Sequence, residues 1–293
     1  MTFPLQYNQV LKRKADFELG PIDLTLQDGL AYALAGANGS GKTTLMKLTM
    51  NLLKPDSGYV ELYGQRIAGN EDEIKTRIAF VPDPMEGCEM FTLHQLVQML
   101  SPWYPNWNSQ RFDQCREQFK LPVHKRYSML SQGNKKKVAL TLALSTGSPI
   151  LLLDEPTNGL DMPSRSYLKH MLAEDAETMG RTVLFSTHSP EDVKEFADAV
   201  LLMREGRCKG PYDKDELLVS WSRIWLAEGS AASGVLNLPG VVECSGEESP
   251  IVQLISRDRD ATLAELGARN IAIMKDQPLQ LKEILEYMHK LDA

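Results

Sequence analysis

The chain has 293 residues, 43% of them hydrophobic, and its formal net charge at pH 7 is −7. This size and apolar content predict a large domain plus a smaller one, and the acidic balance argues against broad nucleic-acid binding, which depends on a basic surface. The longest apolar run, residues 30–35, is far shorter than the ~20 residues that cross a bilayer, so we expect neither a membrane span nor a signal peptide. Because its four cysteines form no C-x-x-C pair, we predict no disulfide and no zinc site.

Apolar runs of strand length alternate with helical stretches through residue 205, which predicts an α/β sheet with crossover helices. The predicted strands are residues 22–26, 30–35, 59–63, 77–81, 149–153, 181–186 and 198–203. Between residues 84 and 148 helical periodicity replaces the strand pattern, which predicts a helical insertion in a domain that spans residues 1–210. The aromatic segment 101–108 within it is expected either to pack as a corner between helices or to face a partner.

The pattern restarts beyond residue 210, so residues 211–293 are predicted to form a small α+β domain. Strands are predicted at 221–226, 240–244, 250–255 and 270–274, with helices at 258–268 and 278–290. This alternation favours a ferredoxin-like arrangement. The domain contains no constellation of residues that indicates catalysis.

Residues 36–43 read GANGSGKT, a complete G-x-x-x-x-G-K-[ST] phosphate loop placed between a predicted strand and a predicted helix. Its glycines permit backbone angles closed to other residues, so successive N–H groups can form an anion site at a helix N-terminus. Lys42 is expected to reach the β- and γ-phosphates of a nucleotide, and the Thr43 hydroxyl to hold Mg²⁺. The expected nucleotide contacts of the loop are Gly36, Asn38, Gly39, Ser40, Gly41, Lys42, Thr43 and Thr44.

A second nucleotide signature is the aliphatic run 150–153 followed by Asp154 and Glu155. A carboxylate at the end of a buried strand can support Mg²⁺ directly or through water, which is the role expected of Asp154. Glu155 is the natural general base for an attacking water. Three adjacent lysines at 135–137 point around a helix, so they are predicted to form a solvated face and not an anion site.

The segment LSQGN, residues 130–134, lies between the two nucleotide signatures and precedes a helical run. Together with Asp154-Glu155 and His188, it makes residues 1–210 resemble the ATP-binding subunits of ABC transporters, which have a P-loop NTPase core with a helical insertion. In that family an LSGGQ-type segment meets the γ-phosphate of ATP held by the opposite subunit, and Ser131 and Gly133 are the matching residues. The resemblance implies a homodimer or heterodimer that hydrolyses ATP and powers transport through separate integral membrane subunits.

The same resemblance implies roles for three further positions. Residues 156–161 look like the loop that crosses the dimer interface, and His188 looks like the switch histidine that acts beside Glu155 in catalysis. Asp83 stands where the family usually carries a Gln that senses Mg²⁺ and water. A carboxylate can ligate Mg²⁺ but, when ionised, cannot donate the hydrogen bond that an amide can. The implied Mg²⁺ ligands are Thr43, Asp83 and Asp154.

The family also stacks an aromatic side chain on adenine, and that position falls near Arg13 or Lys14 here. An Arg could stack through its guanidinium plane, while Phe17 and Tyr7 are the nearest aromatic residues, so the stacking residue stays open.

The resemblance places the membrane partner in a groove between the helical insertion and the α/β core, near residues 83–104. The small C-terminal domain resembles the accessory domain of drug- and antibiotic-exporting systems, which favours export by a subunit held on the cytoplasmic face of the membrane. One alternative is an ABC-type ATPase that acts on nucleic acid or ribosomes. Another is a small-molecule kinase that uses the same phosphate loop.

Overall fold

The structure is a computed structural model, and it describes residues 2–14, 16–227, 235–246 and 251–291. The chain divides into two compact units, which we call the core unit (Met1–Pro211) and the C-terminal unit (Tyr212–Ala293). Among the helices of the described ranges, none has both the length and the apolar character needed to cross a membrane.

Strands up to residue 213 form two sheets. They are β1 (Leu5–Lys14), β2 (Phe17–Leu26), β3 (Ala31–Ala35), β4 (Ser57–Leu62), β5 (Gln65–Arg66), β6 (Ile78–Val81), β7 (Ile150–Leu153), β8 (Thr182–Thr187), β9 (Ala199–Arg204) and β10 (Arg207–Asp213). A four-stranded sheet has the order β2-β1-β4-β5, with β1 antiparallel to both neighbours. A six-stranded sheet has the order β10-β9-β3-β8-β7-β6, and its strands from β9 to β6 are parallel.

The parallel sheet brings distant parts of the sequence to one edge, because the carboxyl ends of its strands point the same way. Gly36 follows β3 directly, Asp83 lies two residues beyond β6, Asp154 follows β7 and His188 follows β8. Every residue of β3, β7 and β8 is buried, as expected for apolar strands that are covered on both faces.

Strand β1 was missed by the sequence-based prediction, which also covered only the second half of β2. In β1 the buried residues Leu5, Tyr7 and Val10 alternate with polar ones. The apolar signal of such a half-exposed strand is weaker than that of a parallel strand that is buried on both sides.

Helices of the core unit are α1 (Lys42–Thr49), α2 (Glu71–Lys75), α3 (Leu93–Leu100), α4 (Ser109–Gln118), α5 (Gln132–Ser145), α6 (Met162–Met179) and α7 (Pro190–Phe196). Helices α3, α4 and α5 lie between β6 and β7 and form the helical insertion. A capping box starts α3, in which Thr92 and Gln95 each accept a hydrogen bond from the other's backbone N–H.

The aromatic segment after α3 contains both packed and exposed rings. The Trp107 and Phe112 rings pack with centroids 6.1 Å apart, and the Tyr104 hydroxyl donates to the Ile78 carbonyl at 3.5 Å. Trp103 lies in a 3₁₀ turn and is 73% exposed. The segment is therefore a packed corner that leaves one large indole in solvent.

Within the C-terminal unit the elements are α8 (Lys214–Ser220), β11 (Ser222–Leu226), β12 (Val241–Ser245), β13 (Val252–Ser256), α9 (Arg259–Ala268), β14 (Ile273–Pro278) and α10 (Leu281–Leu291). The sheet order is β12-β13-β11-β14, with every neighbouring pair antiparallel. A ferredoxin-like unit has the element order β-α-β-β-α-β, and among the described residues only the 3₁₀ turn Val235–Asn237 lies between β11 and β12, so the ferredoxin-like arrangement stays a prediction. The connection between β11 and β12 includes residues 228–234, which lie outside the described residues.

Two predicted elements of the C-terminal unit begin three residues too early. Strand β14 starts at residue 273 and not at 270, because Asn270, with a φ of 54°, belongs to the turn that follows α9. Helix α10 starts at residue 281 and not at 278, because β14 continues to Pro278. Helix α8 was not predicted at all.

Candidate active site

The phosphate loop closes on itself through the side chain of Lys42. Its ammonium donates to the carbonyls of Gly36 at 2.7 Å and Ala37 at 3.1 Å. Helix α1 begins at Lys42, directly after Gly41, whose φ of 115° is open to glycine but strained for other residues. Burial lowers the pKa of Lys42, while the nearby carboxylates of Glu155 and Asp154 act in the opposite direction.

One feature of this loop fits a bound phosphate group, and another shows how closely the loop packs on the sheet. The hydroxyl of Ser40 is buried, and among the described residues it has no hydrogen-bond partner. Such an unpaired buried hydroxyl is costly, so a ligand oxygen that reached it would remove the penalty. A side chain at Gly36 would place its Cβ 2.2 Å from the Met203 carbonyl oxygen, so the loop has to lie tightly on the sheet.

Asp154 joins the end of β7 to the phosphate loop. One carboxylate oxygen accepts a hydrogen bond from the Thr43 hydroxyl at 2.8 Å, and the other accepts one from the Ser186 hydroxyl at 2.5 Å. Ser186 was missed by the sequence analysis, although its place in β8 just before His188 was the available signal. The hydroxyl of Thr43 and the carboxylate of Asp154 are hard oxygen donors of the kind that Mg²⁺ prefers.

Glu155 is held from three directions. Its carboxylate oxygens both lie 3.1 Å from Nδ1 of His188, and the Lys42 ammonium is 3.8 Å from one of them. Its backbone N–H donates to the Ser186 hydroxyl at 2.9 Å, and its φ of 45° is uncommon for a residue with a side chain. The Glu155 side chain is 13% exposed and that of His188 is 52% exposed, so the carboxylate is sheltered while the imidazole faces solvent.

Asp83 is paired with a lysine that the sequence analysis placed in solvent. The Lys136 ammonium lies 2.9 Å from one Asp83 oxygen and donates to the Asp154 carbonyl at 3.0 Å. The prediction of a solvated lysine face is therefore wrong for Lys136, because the first turns of α5 pack on the ends of β6 and β7. Lys137 is also engaged, since it pairs with Asp161 at 2.8 Å.

Signature residues Ser131 and Gly133 lie at the start of helix α5, where Ser131 is the N-cap. The hydroxyl of Ser131 accepts a hydrogen bond from the backbone N–H of Asn134 and so caps α5. A Cβ at Gly133 would lie 2.5 Å from the Gly159 carbonyl oxygen, so this position has no room for a side chain.

A cavity of about 370 Å³ contains most of the predicted nucleotide contacts. It is lined by Lys14, Phe17, Asn38, Gly39, Gly41, Lys42, Thr43, Thr44, Asp83, Asp154 and Glu155. Tyr7 is excluded as the base-stacking residue, because it is buried and its hydroxyl is 2.6 Å from that of Thr49. Phe17 is the aromatic residue that lines the cavity.

A phosphate loop after β3 and a carboxylate pair after β7, which β8 separates from β3 in the same parallel sheet, together define a P-loop ATPase. A model of the ABC transporter family matches residues 19–158. The ABC transporter ATP-binding protein YtrB of Bacillus subtilis is 25% identical over 280 residues, which are 94% of this chain and 92% of that protein. The sulfate/thiosulfate import ATP-binding protein CysA of Synechococcus elongatus is 30% identical over 267 residues, 89% of this chain and 77% of that one.

Among solved structures, the fold is similar to a dimeric structure of the ATP-binding cassette MJ0796 bound to ADP and Pi. The TM-score is 0.62 at 24% identity, over 71% of this chain and 99% of that one. The chain belongs to the ATP-binding proteins of the ABC transporter family. It binds ATP, and its enzymatic activity is ATP hydrolysis.

Proposed function

We propose that the protein works as a dimer that closes around Mg²⁺-ATP and powers export through separate membrane subunits. The observation that carries this proposal is the cavity in which Lys42, Thr43, Asp154 and Glu155 meet. The cavity contains the phosphate loop and the carboxylate pair, and His188 contacts Glu155 at its edge, whereas the signature residues are not among the residues that line it.

A second subunit would complete the site. Ser131 is exposed and does not line the nucleotide cavity of its own chain. In the arrangement we propose, Ser131 and Gly133 of one subunit face the γ-phosphate bound to the phosphate loop of the other. The dimeric MJ0796 cassette supports this arrangement by analogy of fold. A complete set of motifs suits a homodimer and also suits a heterodimer with a similar chain.

Residues of the cavity divide the chemistry between them. Thr43 and Asp154 would hold Mg²⁺, with Asp83 lining the same cavity. When bound, the metal would offset the negative charge that gathers on the phosphate oxygens. Glu155 would take a proton from the attacking water, and His188 would orient that carboxylate and approach the γ-phosphate. Among the described residues no cluster of His, Cys, Asp and Glu could hold a metal by itself, so phosphate oxygens would complete the coordination.

Lys42→Ala tests the nucleotide site. We expect at least about a tenfold rise in the Kd for ATP, because one charge-assisted contact to phosphate is lost. Lys47→Ala is the matched control, because Lys47 lies on the same helix and is exposed. Isothermal titration with ATP gives the Kd, and equal affinity of both variants would contradict the assignment. Phosphate release from ATP without any acceptor would separate this ATPase from a small-molecule kinase.

An apolar groove of about 480 Å³ is the candidate docking site for the membrane subunit. It lies between the parallel sheet and the helical insertion, and Trp103 stands at it with most of its indole in solvent. Its lining includes Met50, Phe80, Met85, Cys88, Phe91, Leu96, Met99, Leu100, Trp103, Tyr104 and Trp107. A groove of this size with an exposed aromatic at its edge suits a short apolar helix of a partner.

Trp103→Glu tests this docking site. We expect the variant to be lost from the membrane fraction, because the partner would have to bury a carboxylate in an apolar groove. Met179→Glu is the matched control, because Met179 is also a large exposed apolar residue but is not part of the groove. The measurement is co-purification with an integral membrane protein from the native host. Retention of both variants on membranes would contradict the site, and retention of the parent chain on nucleic acid at physiological salt would favour the alternative function.

Export and a place on the cytoplasmic face complete the proposal. Export rests on the likeness of the small C-terminal unit to the accessory domains of drug- and antibiotic-exporting systems, which is an argument from fold, and the cytoplasmic face rests on membership of the ABC family. The sulfate/thiosulfate import protein among the relatives shows that related chains also serve import. An extracytoplasmic substrate-binding protein in the purified complex would contradict export.

A further inference from the structure

The Asp83–Lys136 ion pair is an addition to the hydrolytic site that none of the nucleotide motifs contains. Besides the 2.9 Å contact between their charged groups, Asp83 accepts a weaker hydrogen bond from the Asn158 amide at 3.4 Å. The Lys136 side chain is 5% exposed and that of Asp83 is 33% exposed. Lys136 is therefore the buried member of the pair, and Asp83 is the member that lines the nucleotide cavity.

Burial makes this pairing obligatory for Lys136. An ammonium group removed from water has to be matched by a charge and by hydrogen bonds. Its contacts are the Asp83 carboxylate and the Asp154 carbonyl. These contacts tie the beginning of α5 to residues that follow β6 and β7, so Lys136 sets the position of Asp83 relative to Asp154.

The charge balance of the cavity gives the pair its function. Asp83, Asp154 and Glu155 bring three carboxylates to a cavity that has to accept a polyanionic triphosphate. Repulsion between like charges a few ångströms apart is strong where water is excluded. The Lys136 ammonium, which does not line this cavity, offsets the charge of Asp83 through their ion pair.

We propose that Lys136 is a positioning residue that neutralises Asp83 and thereby sets the preference of the site for ATP over ADP. ATP carries one phosphate more than ADP, so a negative charge at Asp83 repels ATP more strongly than it repels ADP. The inference rests on the proposed ATP site and explains how a carboxylate can stand where the family usually carries an amide.

Lys136→Met removes the ammonium and keeps an unbranched side chain of similar length. We expect the ratio of Kd(ATP) to Kd(ADP), measured in EDTA, to rise about tenfold, because the Asp83 carboxylate in the cavity lining then has no cation beside it and repels the extra phosphate of ATP. Asp83→Asn is expected to move the same ratio in the opposite direction, because the Lys136 charge is then unmatched. The double variant, which is neutral at both positions, is expected to return the ratio to within about threefold of the parent.

Lys135→Met is the matched control, because it removes the same charge from the neighbouring residue. The Lys135 ammonium lies 5.5 Å from the centre of the Tyr127 ring, and the residue does not line the nucleotide cavity. The ratio of Kd(ATP) to Kd(ADP) in Lys135→Met is expected to stay within about threefold of that of the parent.

The Kd values of ATP and ADP are measured in EDTA, which removes Mg²⁺ and so prevents hydrolysis during the titration. An unchanged ratio in Lys136→Met, the same shift in Lys135→Met, or shifts of equal sign in Lys136→Met and Asp83→Asn would each overturn the inference. If Lys136→Met does not fold, the sign of the shift in Asp83→Asn and the ratio of the double variant still decide it. Failure of the parent chain to bind ATP would instead refute the nucleotide site itself, which the Lys42→Ala experiment reports separately.

Discussion

Glu155→Gln is expected to lower the turnover number for ATP hydrolysis by about 10²–10⁴-fold, the usual effect of removing a positioned general base. The amide keeps the size and shape of the carboxylate but cannot accept a proton from the attacking water. ATP affinity is expected to stay within about threefold of the parent, because the contacts of Lys42 and Thr43 with the nucleotide are unaffected. A site that binds ATP but hydrolyses it slowly should accumulate the closed dimer.

The surroundings of Glu155 explain why its loss should affect turnover more than binding. The hydrogen bond from its N–H to Ser186 holds the backbone of the residue in place whichever side chain it carries, although its φ of 45° is uncommon. The carboxylate itself contacts His188 at 3.1 Å and lies 3.8 Å from Lys42. Replacing it by an amide removes a base and leaves the phosphate loop intact.

Steady-state phosphate release and size-exclusion chromatography with ATP measure these two consequences. Glu177→Gln is the matched control, because Glu177 is an exposed carboxylate on α6 that lies outside the cavity. Turnover of Glu155→Gln equal to that of this control would refute the role of general base. Slow turnover without accumulation of the dimer would support Glu155 as the general base. It would contradict the proposal that bound ATP holds the dimer closed.

Asp175→Asn is expected to lower the free energy of unfolding of the core unit by about 3–5 kcal/mol, the typical cost of breaking a buried ion pair from one side. Asp175 is fully buried between Arg111 and Arg181, and its carboxylate forms an ion pair with each guanidinium. The Arg181 side chain also donates to the Ser148 carbonyl at 2.7 Å. Without the carboxylate charge, the buried Arg181 loses this ion pair and keeps its hydrogen bonds to carbonyls, while Arg111 keeps only the pair with the partly exposed Glu174.

This cluster also joins the helical insertion to the α/β core. Arg111 comes from α4, Asp175 from α6, and Arg181 directly precedes β8. Because these elements meet only when both parts of the core unit are folded, the variant is expected to loosen the insertion before the parallel sheet. Hydrogen exchange in α4 should therefore rise more than exchange in β7.

Urea denaturation followed by circular dichroism gives the change in stability. Glu174→Gln is the matched control, since Glu174 binds the same Arg111 at 2.8 Å but its side chain is 43% exposed. Its effect is expected to be at most about 1 kcal/mol, as for other exposed pairs. A loss of stability in Asp175→Asn no larger than that of the control would show that the buried pair is dispensable.

Much of the site could be predicted because each motif is contiguous and has a local cause. The phosphate loop needs its glycines and lysine in one short segment, and Asp154-Glu155 need only the buried strand before them. The parallel order of β3, β6, β7 and β8 then follows from alternating strands and helices, which place the ends of these strands at one edge. The ABC family resemblance and the ATPase activity were confirmed by the comparisons with known proteins.

Other parts of the site depend on contacts between residues far apart in the sequence. Lys136 and Asp83 are separated by two helices, and the identity of neither predicts that the other lies 2.9 Å away. Ser186 reads as an ordinary small residue in a buried strand until β8 is paired with β7. The sequence left both Tyr7 and Phe17 open as stacking candidates, and packing alone put Tyr7 in the core.

The sequence by itself determined the chemistry of this protein, namely the phosphate loop, the carboxylate pair, the signature segment and the family to which they belong. Those features arise from backbone conformation and side-chain type within a few residues, which is what a local pattern records. Only the tertiary structure decided which charges are buried and how they are matched, as in the Asp83–Lys136 pair and the cluster around Asp175. The cost of burying a charge depends on all its neighbours in space, and a linear pattern does not contain them.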